Sequence, residues 1–206
     1  SADAASAPYG PAVAARFPDP PVNYRTPAFQ PGHSGFTSNA AAAAGGKPSA
    51  FGEISPEILI KSDWARHEAT FFARGGYVAY TNDSSNNLPT ADVDATQRLD
   101  FSQGWTLNLA ERYHFDTESL SDPDFPVGVN NAPGVHNLDG QAILAGGAGR
   151  TVFTFSGFAA RKTYEDGHSH GKVFDQTDRN NTFLEGRVRA GYEVTGVLTP
   201  FVEGVV

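Results

Sequence analysis

The sequence predicts an all-β chain of antiparallel, up-and-down strands of the kind that closes into a transmembrane β-barrel. Three observations carry this. From Phe51 onward apolar and polar residues alternate with period two, the pattern of a strand with one apolar face. The connections between the alternating runs are short and long in turn. The runs mostly reach ten residues or more, against about 5–6 for strands of soluble sheets and about 9–11 for a strand that crosses a bilayer.

Eight runs follow one another. Around 54–62, Ile54, Ile58 and Ile60 share one face, and Glu53, Ser55, Glu57 and Lys61 the other. In 65–80, Ala69, Phe71, Ala73, Gly75, Tyr77 and Ala79 oppose Arg66, Glu68, Thr70 and Arg74. In 91–101, Val93, Ala95, Leu99 and Phe101 oppose Asp92, Asp94, Thr96, Arg98 and Asp100. In 105–116, Trp105, Leu107, Leu109, Tyr113 and Phe115 oppose Thr106, Asn108, Arg112, His114 and Asp116. In 136–145, Leu138, Gly140, Ala142 and Leu144 oppose Asn137, Asp139 and Gln141. The run 151–164 is rich in Phe and Thr and less regular. In 181–194, Leu184, Val188, Ala190, Tyr192 and Val194 oppose Glu185, Arg187, Arg189 and Glu193; in 197–206, Glu203 stands opposite Val202. Between the runs, Asp63–Trp64, Ser102–Gly104, Gly146–Arg150 and Thr195–Gly196 are tight. Asn82–Pro89, Glu118–Gly134 and Glu165–Thr177 are long and polar. Short turns at one end and long loops at the other are the plan of an outer-membrane barrel.

Residues 1–50 read as a separate proline/alanine-rich N-terminal extension, and 51–206 as the barrel strands. The extension holds 8 of the 14 prolines and 14 alanines, and its prolines forbid a helix or central strand across the first thirty residues. Such a segment is a flexible tail or linker by composition, or lies on the barrel, its lumen or a partner.

Composition removes several classes of function. The 206 residues (21.9 kDa) leave room for one domain with a tail. Cysteine is absent, so disulfide scaffolds, thiol nucleophiles and thiolate metal sites are excluded. Methionine is absent too, which reads as a processed chain that has lost its leader. A balance of 15 basic against 23 acidic residues, net −8, argues against nucleic acid as a partner. No apolar run approaches the about 18–20 residues of a membrane helix, a test that barrel strands are not expected to meet.

A soluble sandwich shows the same alternation, and three features favour the barrel. Arginine outnumbers lysine 11 to 4, with many arginines mid-strand among carboxylates, as suits a crowded lumen. The apolar face alternates Ala and Gly with aromatics, too lean to fill a two-sheet core about 10 Å thick. Aromatics stand near the run ends. The candidate lumen-facing charges are Arg66, Glu68, Arg74, Asp92, Asp94, Arg98, Asp100, Arg112, Asp116, Glu185, Arg187, Arg189 and Glu193. The candidate interfacial girdle is Trp64, Tyr77, Tyr80, Trp105, Tyr113, Phe115, Tyr164 and Tyr192. In a wide barrel such charges set permeant selectivity; in a narrow one they fill the lumen as cross-strand ion pairs.

The stretch Ile54-Ser-Pro-Glu-Ile-Leu-Ile-Lys-Ser-Asp-Trp-Ala-Arg-His67 resembles the opening of the proteobacterial "putative β-barrel porin 2" group. Asp175-Gln-Thr-Asp-Arg-Asn180, and Tyr192-Glu-Val-Thr leading to Pro200-Phe-Val-Glu203, are similar to later segments of that family. The likeness covers most of 51–206 and none of 1–50. It implies the outer membrane of a Gram-negative bacterium, lipid as surroundings, a porin-like or transport-associated role, and no enzyme residues. Counted from the tight turns, the first run heads toward the short-turn side and the last away from it, whereas a single-chain barrel begins and ends on the periplasmic side. Either an additional strand lies in the extension and another follows residue 206, or these strands are part of a longer protein; the second is the favoured expectation.

Other chemistry is weaker. His168-Ser-His170 beside Glu165 and Asp166 has metal-ligating residue types without a geometry to fix them, and reads as a solvated loop. Asn82–Asn87 and Asp122-Pro-Asp124 lack the spacing of a calcium loop and read as turn chemistry. His114 with Asp116, or Ser169 between its histidines, does not make a hydrolytic triad. Ala145–Gly149 is a tight turn, not a phosphate loop. The sequence thus predicts a porin-like channel or export-associated conduit with no cofactor, no metal and no catalytic activity. Its alternatives are a structural envelope barrel that binds a partner or itself through residues 1–50, and a soluble β-sandwich binding protein.

Overall fold

A computed structural model of the chain describes residues 34–40, 47–62, 64–82, 84, 87–118, 133–169 and 171–206. The predicted eight runs correspond to eight strands of one antiparallel, ten-stranded sheet, six long and two of five residues, and no α-helix occurs among the described residues. In chain order the strands are β1 (Ser34–Thr37), β2 (Ser49–Ile54), β3 (Glu57–Lys61), β4 (His67–Tyr80), β5 (Leu88–Asp100), β6 (Thr106–Thr117), β7 (Gly134–Ala148) and β8 (Thr151–Tyr164). They continue with β9 (Gly167–Ser169), β10 (Lys172–Phe174), β11 (Asn181–Tyr192) and β12 (Phe201–Val205). Each long strand pairs with its sequence neighbour, from β1 at one edge to β12 at the other, and β9 and β10 form a separate hairpin. β4 to β8 and β11, of 12 to 15 residues, give about 40–50 Å of extended chain each.

Pairing explains where the strands depart from the runs read in the sequence. β2 and β3 are one strand in register terms: Ile54 faces Tyr77 and Glu57 faces Arg74, so the ladder keeps its count across the gap. Pro56 accepts a hydrogen bond from the Gly75 N–H (3.0 Å) but has no N–H to return, and the strand is interrupted there. β5 starts earlier than predicted and contains Pro89, which pairs with β4 where the β6 ladder has not yet begun. β12 starts later, because Thr195 and Leu198 close a turn before Pro200. β1 lies inside the segment read as a tail; it pairs with β2 from Ser34↔Gly52 to Thr37↔Ser49. Residues 1–33 and 41–46 of that segment lie outside the described residues.

Short and long connections alternate as predicted up to β11; the β11–β12 connection, expected to be tight at Thr195–Gly196, instead spans 193–200 and is longer than 81–87 at the other end. At the tight end β3–β4, β5–β6, β7–β8 and β11–β12 turn; the β7–β8 turn has two residues, with Gly149 at φ 62°, a region open to glycine. At the other end, residues 81–87, 118–133 and 165–180 connect the strands. Asn87 closes the first of these by accepting the Tyr80 N–H (2.8 Å).

The sheet carries no second layer among the described residues. Buried apolar side chains are few there, Ala40, Val78, Pro133 and Val135, while Ile58, Phe155, Leu184, Val188 and Val202 on the apolar face stay 41–73% exposed. A sandwich would cover those side chains.

Candidate functional site

Cross-strand register puts directly opposed residues on one face, so the faces can be followed across the whole sheet. One row on the polar face runs Glu57, Arg74, Asp92, His114, Asn137, Lys162 and Asn181, one residue from each of seven adjacent strands. Arg74 donates to Asp92 Oδ2 through Nε (3.1 Å) and a terminal nitrogen (2.7 Å), and the other oxygen of Asp92 lies 2.6 Å from His114 Nδ1. In the next row Arg112 stands between Asp94 and Asp139 and bonds Asp94 at 2.9 Å. Toward the tight turns, Asp100 accepts from Arg98 (3.0 Å) and from the Thr106 hydroxyl (3.1 Å). On the last strands Arg189 bonds Glu203 at 2.6–2.7 Å, and Arg187 bonds Glu185 at 2.9 Å.

Of the thirteen charges picked from the sequence, Glu68, Arg74, Asp92, Asp94, Arg98, Asp100, Arg112, Asp116, Glu185, Arg187 and Arg189 share this face. Arg66 and Glu193 fall in the tight connections, off the strand ladders. The thirteen candidates omit Lys162, Glu203, Asp139, Glu57 and His114, which the register places on the same face, although the alternation of their runs already set Glu57, His114 and Asp139 opposite the apolar residues.

The aromatic set divides. Tyr77, Tyr113, Phe115 and Tyr192 lie on the apolar face, Trp105 packs against Gly146 of that face, and Trp64, in the β3–β4 connection, is 57% exposed. Tyr80 and Tyr164 do not belong to a girdle. Tyr80 opposes Phe51 on the polar face, and Tyr164 opposes Val135 there, because each is one residue out of phase with its strand's apolar positions.

At the long-loop end a second network joins two connections, 118–133 and 165–180. Glu118, barely exposed, pairs with Arg179 at 2.5 and 2.9 Å; Arg179 also bonds Gln176 and lies 4.0 Å from the Tyr164 ring centre. Buried Gln176 donates to the Glu165 carbonyl (2.7 Å), and the Glu165 carboxylate accepts from Gly134 N–H (3.2 Å) near His136 (3.3 Å). Asp175 accepts from the hydroxyl and the amide of Thr177, which hold its carboxyl below the usual carboxylate range.

None of the weaker chemistries is assembled among the described residues. Among the described residues no three His, Asp or Glu side chains converge as a metal site. His114 is oriented by Asp92 rather than Asp116, whose Oδ1 accepts the Thr117 N–H (2.7 Å). His170 and Asp122–Asp124 lie outside the described residues, as do three positions of Asn82–Asn87.

Long strands paired in sequence order, with one charged face and one apolar face, define the class of up-and-down β-barrels. The chain belongs to the "putative β-barrel porin 2" family, whose model matches residues 26–206. That match begins inside the predicted extension, where β1 is found, so the likeness reaches further back than residue 51. No curated protein and no solved structure matches the chain.

Proposed function

We propose that the chain forms part of the wall of a porin-like conduit in the outer membrane of a Gram-negative bacterium, with its charged face turned to the lumen and no catalytic role. The observation that carries this is the unbroken polar row from Glu57 to Asn181 facing away from an apolar surface. Charges that must cross seven strands belong in water, and the exposed apolar side chains of the opposite face belong in lipid. Family membership supports the same reading. Carboxylates outnumber cations on the polar face, so the conduit favours cations.

The full-length protein in planar bilayers tests this. Stepwise conductance with a reversal potential on the cation side is expected in a salt gradient. Asp92→Asn and Asp94→Asn together should move that potential toward zero. Absence of any conductance from folded protein would leave the structural envelope barrel as the better reading.

A further inference from the structure

The apolar face carries two formal charges within the described strands, Glu111 on β6 and Arg161 on β8. Glu111 shares a row with Gly140 and Ala159; Arg161 lies in the next row, beside Leu138. Neither has an ion pair among the described residues, and both are exposed. With this face in lipid, a carboxylate in mid-strand has no water and no counterion.

The backbone around Glu111 is left bare. Gly140 and Gly157 have no atom within 4 Å of where a Cβ would stand, and neither has a positive φ. No close contact or turn among the described residues requires glycine there, and glycine weakens a strand interior. Bare backbone there lets something outside the chain approach closely. Two shallow grooves of about 600 and 420 Å³ meet at Leu109 and Glu111 on this side of the sheet.

We propose that this patch is a self-association face on which a second copy packs, with Glu111 of each copy paired with Arg161 of the other. A two-fold axis satisfies both charges at once, because residue i meets j and j meets i. The two side chains sit two strands and one row apart, which places such an axis over β7 between Leu138 and Gly140. An acyl chain or a neutral partner would fill the grooves but leave both charges unpaired.

The proposal rests on the apolar face being lipid-facing, and the experiment separates the two. Full-length protein in mild detergent is sized by light scattering, and barrel integrity is followed by the shift between boiled and unboiled samples on SDS gels. The wild type is expected as a dimer, Glu111→Arg and Arg161→Glu singly as heat-shifting monomers, and the double variant as a dimer again. Heat-shifting protein that is monomeric at every concentration, or single variants that stay dimeric, would overturn self-association. Absence of the heat shift in the wild type would overturn the lipid-facing reading instead. If the charge variants do not fold, Gly140→Cys decides. The chain has no cysteine of its own, so oxidised membranes should yield a disulfide dimer from Gly140→Cys and none from the polar-face control Ser156→Cys; monomer from both overturns the proposal.

Discussion

Trp105 stands at the tight-turn end because the neighbouring strand offers it a gap. A Cβ on Gly146 would lie 2.2 Å from the indole Cδ2, so any side chain there must push the ring away. Gly146→Ala is therefore expected to destabilise the barrel by about 1–3 kcal/mol, the usual cost of overpacking a fitted contact. Urea unfolding in detergent, followed by Trp fluorescence, checks this; an unchanged midpoint would show that the ring is free to move. Residues of this kind show why the candidate set was legible only in part. The charges of β4 to β6 stand out because their neighbours alternate cleanly. Tyr80 and Tyr164 were misplaced because being aromatic and near a strand end outweighed parity, which puts them on the charged face. Glu111 and Arg161 escape the pattern for the opposite reason: each is a charged residue in an apolar phase, which period two does not pick out.

At the scale of elements, period two located every long strand, and errors sit at strand ends and in the tail. β1 was hidden by a proline- and alanine-rich neighbourhood that has strand character only once β2 is beside it. The β8 run looked irregular because Phe158 and Lys162 turn to one face while Phe155 and Arg161 turn to the other. The loop-end network could not be read at all, since Glu118 and Arg179 are 61 residues apart in sequence. That pair ties the 118–133 connection to the 165–180 connection. Arg179→Leu strands a nearly buried carboxylate, and the loss is expected to stay below the about 3–5 kcal/mol of a fully buried pair, because Arg179 keeps 22% side-chain exposure. Hydrogen exchange should show the change as faster exchange of the Glu118 and Glu165 amides, with β7 and β8 protection kept. Equal exchange across the sheet would mean the pair holds nothing locally.

For the molecule as a whole, pairing in sequence order sets how the sheet is expected to assemble. Its ladders join neighbours along the chain, and loop-closure entropy grows only slowly with length, so the 118–133 connection is a modest obstacle. The β7–β8 hairpin has the shortest turn and two of the longest strands, with residues paired from Ala148↔Thr151 to Val135↔Tyr164. It is the natural nucleus, and the flanking strands then zip on from both sides. Gly149→Val, which forces a β-branched residue to a φ of 62°, should slow folding into detergent micelles several-fold and change the unfolding rate little. A variant that folds at the wild-type rate but unfolds faster would place the nucleus elsewhere. If the centre forms first, the two ends of the chain are the last parts to commit. A cell that captured the protein part-way would then hold a finished middle with β1 and β12 still searching for partners.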